Sequence, residues 1–265
     1  MNEHSLREAL KDLEIGQIHF FEETDSTNER ALVLSGQGAP EFTLVIAERQ
    51  TAGRGRFGRR WETAPGTSLA FTVIFFPTAK EQERLSLFSF LGAVAVCRSI
   101  EVVCHIEPRI KWPNDVLLDG KKACGILAET SWQGNKIEGL VLGIGINLLH
   151  GSIPPAERLM YPATCVQAHC GNEINSLDFL RTVISDLNIW RPKLLSLEFL
   201  NAYRSRLAFL GKEVTLSPIE GEAIHGIMAG IDNSGNLILK GSDGSEKLYP
   251  IGDMRLREAD DSGKE

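Results

Sequence analysis

Residues Thr51–Trp61 read Thr-Ala-Gly-Arg-Gly-Arg-Phe-Gly-Arg-Arg-Trp. From Arg49 to Arg60 the chain carries five arginines and no acidic residue, although its formal net charge is -7. Gly53, Gly55 and Gly58 let backbone come close to a ligand, and the arginines surround it with permanently charged forks. The combination suits a polyphosphate or a nucleotide. The glycines also match the spacing G-x-G-x-x-G, but a dinucleotide fold needs a helix opening at them to receive the pyrophosphate. Here Arg59 to Gly66 show no apolar helical period and end in Pro65-Gly66, a breaker. Gly53 and Gly58 share the outer spacing of a P-loop, yet Arg59-Arg60 stand where Lys and Ser/Thr are required. A kinase loop wants valine where Arg60 stands, and the chain contains neither H-R-D nor D-F-G. All three nucleotide-binding readings fail, which leaves a loop reached directly from a strand.

Outward from this loop the pattern is that of an α+β fold. A β-branched run at Phe42 to Ala47 leads into it, and a second strand, Ser68 to Phe76, leaves it. Upstream, a short helix is expected over Ser5 to Leu13. Ser26 with Glu29 three residues later has the capping-box pattern for a helix over Thr27 to Ser35. Downstream, Glu81 to about Val103 reads as one long, largely buried helix. Arg109–Trp112, Asp115–Leu118, Ala123–Glu129 and Lys136–Ile146 read as strands, with turns at Asp119-Gly120 and Gln133-Gly134-Asn135. Strands in series behind a helix imply a mixed or antiparallel sheet rather than an alternating parallel one. Helices are expected over Ser176–Leu195 and Leu197–Leu210. From Gly211 onward, short strands punctuated by Asp232-Asn233-Ser234-Gly235 and Gly241-Ser242-Asp243-Gly244 suggest a small β-barrel. The expected division is therefore 1–210 and 211–265.

With 265 residues, 43% hydrophobic and 24% charged, the composition is that of a globular protein. The apolar run Leu69–Phe76 is far short of a membrane helix, and Met1-Asn2-Glu3-His4 has no secretory pattern. Five cysteines, an odd number among apolar neighbours, point to free thiols in a reducing compartment, hence the cytoplasm. Cys165, His169 and Cys170 have no second pair at ligand spacing, so no metal site is expected. The acidic balance argues against general nucleic-acid binding.

Four segments concentrate directed polar groups at strand ends and turns. They are Ser26-Thr27-Asn28, Gln50 with the Arg/Gly segment, Lys111-Trp112-Pro113-Asn114-Asp115, and Gly143-Ile144-Gly145-Ile146-Asn147. In this order, and with the Gly125-Ile126-Leu127-Ala128-Glu129 strand, they closely resemble the biotin protein ligases. The resemblance runs through defined motifs from about Thr24 to Asn147 and by architecture to the C-terminal strands. It implies a class II synthetase-like catalytic domain, a mixed sheet flanked by helices, with an SH3-like C-terminal barrel. It also implies ATP with Mg2+ and biotin as substrates, a biotinyl-5′-adenylate intermediate, and a biotin carboxyl carrier protein as acceptor.

On that resemblance, Lys111 is the catalytic candidate, because an ammonium offsets the repulsion of a carboxylate attacking a phosphate. Arg54 and Arg56 are expected to bind carboxylate and phosphate oxygens as forks, Arg56 also acting in catalysis, with Gly55 giving backbone access. The loop is expected to close over the adenylate and exclude water. Ser26, Thr27, Asn28 and Gln50 match the carbonyl and two N–H groups of biotin's ureido ring. Gly125 allows close approach of the bicyclic ring, and Trp61 and Asn147 help enclose the adenylate. Trp112 is expected to pack in the core, and Asp115 to close a turn rather than position magnesium. Arg59 and Arg60 divide evenly between ligand contact and solvated charge. Phe57 stands where some relatives have arginine, which bears on loop docking.

About twenty residues precede Phe21, too few for the winged-helix domain of repressor members, so no DNA binding is expected. No membrane association is expected either, and the pattern identifies no strand for a homodimer, which stays open. Two other readings compete. A lipoate or octanoate ligase would share the adenylate chemistry. An Arg-Gly RNA-binding module would be a basic protein with a repeated tract, and this chain has one cluster in an acidic domain.

Overall fold

The protein was described from a computed structural model, which describes residues 1–134, 136–218, 221–252 and 254–259. Seven strands form one mixed sheet: β1 (Ile18–Thr24), β2 (Leu44–Gln50), β3 (Ser68–Phe75), β4 (Arg109–Lys111), β5 (Asp115–Leu118), β6 (Lys121–Gln133) and β7 (Lys136–Asn147). Their order is β1-β2-β3-β7-β6-β5-β4. Only β1 and β2 run parallel, because the helix α2 (Thr27–Gly36) crosses between them; every later neighbour is antiparallel. The turn expected at 133–135 joins β6 to β7, though Asn135 lies outside the described residues.

The two faces of the sheet are covered unequally, and this creates the site. On one face Leu142, Ile144 and Ile146 join the main core with α4 (Leu87–Cys104). A Cβ at Gly92 would lie only 3.1 Å from Ile126, so the helix axis sits close on the strands. The helices α5 (Ser176–Trp190) and α6 (Leu197–Arg204) pack against α4. α4 has a mean hydropathy of 1.8 and is mostly buried, which makes it a core helix. The opposite face carries a smaller core of Ala31, Ala39, Val45, Ile74 and Val141 beneath α2. Beyond the start of α2 no helix among the described residues covers this face, and there the sheet floors a pocket.

Three local expectations change. α1 spans Glu3–Leu10, capped by Asn2. The long helix expected from Glu81 is two helices, α3 (Ala79–Gln82) and α4. The Glu81 carboxylate accepts the Thr78 N–H at 2.7 Å and also pairs with Arg191, which fixes α3 as a separately capped turn. The Ser26–Glu29 capping box does not form. Ser26 is the N-cap without a side-chain bond, its N–H donates to the Asp25 carboxylate at 2.8 Å, and Glu29 pairs instead with Arg54.

The C-terminal strands are β8 (Glu213–Pro218), β9 (Ile224–Ile231), β10 (Leu237–Lys240), β11 (Glu246–Tyr249) and β12 (Met254–Glu258). They form one antiparallel sheet in the order β11-β10-β9-β8-β12. Among the described residues β11 and β12 are its two edges, so the expected barrel is an open small sheet of SH3-like strand content. It is fastened to the larger unit: the Trp112 indole N–H donates to the Gly235 carbonyl at 3.0 Å, and Arg204 donates to the Ile231 carbonyl. Trp112 is 1% exposed, as expected of a core residue.

Candidate active site

The pocket has a volume of about 410 Å³. Its floor is the open face of β3, β7 and β6, where Thr72, Gly143 and Leu127 are register neighbours, as are Ala70, Gly145 and Gly125. The glycines are steric necessities. A Cβ at Gly143 would collide with the Asn28 amide, and one at Gly145 with the Trp61 indole. At Gly125 it would lie 3.1 Å from both Lys122 and Trp61. The Trp61 indole thus lies over Gly125 and Gly145.

At one end α2 delivers a cluster of neutral polar groups, all buried. The Thr27 backbone N–H and hydroxyl both reach Gln50 Oε1, at 2.8 and 3.1 Å. The Thr72 hydroxyl lies 2.8 Å from Thr27 Oγ1 and 2.7 Å from Asn28 Oδ1. Asn28 Nδ2 donates to Glu129 Oε2 at 2.8 Å and to the Leu127 carbonyl at 3.3 Å. Ser26 also lines the pocket.

The hairpin of β4 and β5 supplies the opposite end. Lys111 and Asp115 are paired across the turn, and the Trp112–Pro113 peptide is cis. Asn114 ties the turn to β6 by donating to the Ile126 carbonyl at 2.6 Å. Asp115 closes the turn and bonds Lys122 Nζ at 2.5 Å. Lys111 Nζ sits 3.6 Å from the ring centre of Tyr161. Burial pushes the Lys111 ammonium down to about 8, with Lys122, Arg257 and Arg59 adding repulsion and Asp115 opposing it. Around Lys111 the cationic neighbours outnumber the one carboxylate, Asp115. Arg59 shows the same stress: burial, then Arg255 and Arg257, lower its pKa against the pull of Asp115.

The Arg/Gly segment forms the rim. Arg56 donates to Asn114 Oδ1 at 3.1 Å and to the Gly252 carbonyl, so it reaches the C-terminal unit. Phe57 adopts a left-handed conformation at φ 63°. The guanidinium groups of Arg56, Arg59 and Arg255 lie 4.6, 5.6 and 5.7 Å from its ring centre. The Arg54 guanidinium is held by Glu29 and, at 2.6 Å, by Glu129. Arg60 turns back onto the Thr51 carbonyl. The Asn147 amide donates to the Thr164 carbonyl at 3.2 Å.

All the residues singled out in the sequence line this one pocket: Ser26, Thr27, Asn28, Gln50, Arg54, Gly55, Arg56, Trp61, Lys111, Gly125 and Asn147. Sequence reasoning missed Tyr161, Arg255 and Arg257, which reach it only through tertiary folding, and Thr72, which is buried behind Thr27 and Asn28. It also gave Glu129 no role, although the motif containing it was visible. Cys165, His169 and Cys170 turn to separate partners, respectively His150, Asp119 with Thr164, and the Val103 carbonyl.

Residues 20–147 match the biotin/lipoate A/B protein ligase family, and residues 209–257 match the biotin protein ligase C-terminal domain. The chain is 36% identical over 234 residues to the biotin–[acetyl-CoA-carboxylase] ligase of Paracoccus denitrificans, covering 85% of this chain and 95% of the relative. It is 31% identical to the bifunctional ligase/repressor BirA of Bacillus spizizenii, covering 94% and 77% respectively. Among solved structures, the biotin protein ligase from Aquifex aeolicus in complex with biotin and ATP superposes with a TM-score of 0.77. It is 30% identical, and the match covers 92% of this chain and 99% of that one.

Proposed function

The chain belongs to the biotin protein ligases, and on that premise we propose how its pocket carries out their ATP-dependent reaction. Biotin's carboxylate oxygen attacks the α-phosphorus of ATP. The bond to the bridging oxygen breaks, and pyrophosphate leaves biotinyl-5′-adenylate behind. The ε-amine of an acceptor lysine then attacks the acyl carbon, AMP departs, and the amine loses its proton. The acceptor we propose is the biotin carboxyl carrier domain of a carboxylase. Magnesium enters with ATP as the substrate complex, since Asp115 is engaged by Lys122. Four of the five free thiols are buried, which fits the cytoplasm as the compartment.

The observation that carries this reading is the Lys111 ammonium. It shares one pocket with neutral groups suited to a ureido ring and with arginines suited to phosphate. Thr27, Asn28 and Gln50 take the ring, with Thr72 behind them, Ser26 at its edge and Gly125 admitting the bicycle. Lys111 and Arg56 meet the carboxylate and α-phosphate, where charge builds in the transition state. Arg54 and Gly55 belong to the segment that closes over the product, while Trp61 and Asn147 border the adenylate. Residues 1–210 would act as the catalytic unit, and 211–265 would add Arg255 and Arg257 to the phosphate side.

A single-turnover experiment with biotin and MgATP tests these roles. The unmodified protein is expected to form biotinyl-adenylate. Lys111→Ala is expected to slow that step by on the order of 10²-fold or more while weakening biotin binding far less. Equal losses in both would make Lys111 a binding residue only.

A further inference from the structure

Glu129, on β6, stands between the polar cluster and the Arg/Gly segment. Its Oε2 accepts from the Asn28 amide nitrogen at 2.8 Å, and its Oε1 accepts from Arg54 at 2.6 Å. Its side chain is 20% exposed, against 46% for Glu29, the other acid on Arg54. A carboxylate can only accept, so Glu129, helped by the more distant Leu127 carbonyl at 3.3 Å, holds the Asn28 nitrogen toward itself and the Asn28 oxygen toward Thr72. The Thr72 hydroxyl, 2.7 Å from that oxygen, must then donate to it. Thr27, 2.8 Å from Thr72, is left to donate to Thr72 or to Gln50 Oε1. One charged group, with a backbone carbonyl beside it, thus sets the sense of successive hydrogen bonds leading to the pocket.

We propose that Glu129 is a positioning residue coupling the biotin end of the pocket to the Arg/Gly segment. One oxygen fixes the orientation of the Asn28 amide, and the other anchors Arg54, so biotin affinity and closure of the segment depend on the same side chain. This rests on the biotin-ligase reading of the site. Glu29 holds only the segment. It touches Arg54 and, among the described residues, makes no hydrogen bond to the polar cluster, so the two acids should separate in their effects. Glutamine at 129 keeps the shape but can donate, which leaves the Asn28 amide held only by the Leu127 carbonyl at 3.3 Å and removes the charge facing Arg54.

The test uses the full chain, with biotin dissociation constants measured without nucleotide and release of preformed biotinyl-adenylate followed in time. Glu129→Gln is expected to weaken biotin by about tenfold, the size of one lost charged hydrogen bond, and to speed adenylate release by a similar factor. Glu29→Gln is expected to speed release by a smaller factor and to keep biotin affinity within about twofold, as for an exposed ion pair. Thr72→Val breaks the same chain further in, and is expected to weaken biotin without loosening the segment. Unchanged biotin affinity in Glu129→Gln, or an equal loss in Glu29→Gln, would overturn the coupling. If Glu129→Gln does not fold, as judged by thermal melting, full biotin affinity in Thr72→Val overturns it instead. Failure of the unmodified protein to bind biotin would strike the biotin reading itself and not the coupling.

Discussion

Lys111 is a lysine whose surroundings penalise its charge until a ligand arrives. Its pKa is lowered from 10.5 to about 8, with burial as the largest cause. The sign follows from linkage. The unfolded chain holds this proton up to a higher pH than the folded one, so the cost of charging Lys111 is fully present below about pH 8. That cost fades as pH rises from about 8 toward 10.5. An anionic adenylate or ATP reverses the balance by favouring the ammonium. Near pH 8 ligand binding should therefore take up roughly half a proton, and near pH 6.5 almost none. Calorimetric titrations in buffers of different ionisation enthalpy measure this directly. A binding heat independent of buffer at pH 8 would show that Lys111 does not meet the anion.

At the scale of elements, the glycine-bearing strand β7 and the start of α2 are made for each other. Gly143 faces the Asn28 amide so closely that no Cβ fits between them, and its register partner Thr72 donates to the same amide. Gly143→Ala must push α2 outward or displace Asn28. Overpacking of this kind typically costs about 1–3 kcal/mol. Chemical denaturation is expected to show a loss in that range, together with weakened biotin binding. A stable variant with full biotin affinity would mean that the polar cluster does not hold the ligand. Much of this was legible beforehand: the four motif segments named the pocket because each couples special backbone needs to directed polar groups. The Ser26 capping box was misread because sequence cannot rank competitors in space. Asp25 takes the Ser26 N–H, and Arg54 takes Glu29 from twenty-five residues away. The break between α3 and α4 was hidden for a similar reason, since the buried Arg191–Glu81 pair that fixes it spans 110 residues.

At the scale of the whole molecule, the pocket belongs to both units. β12 lines it with Arg255 and Arg257, and Arg56 reaches across to Gly252. Gly235 packs so tightly that an added Cβ would lie 2.9 Å from Phe90 of α4. The sequence showed the C-terminal strands but not their contribution, because two arginines in a strand look like any solvated face until the sheet is docked. Tyr161 escaped notice in the same way, lying in an irregular stretch that meets Lys111 only in three dimensions. The central claim is that this assembled pocket activates biotin with ATP. Pyrophosphate–ATP exchange, measured separately with biotin, lipoate and octanoate, tests it most directly. The account expects exchange that depends on biotin, with neither of the other acids substituting. Exchange supported by lipoate or octanoate and not by biotin would contradict it.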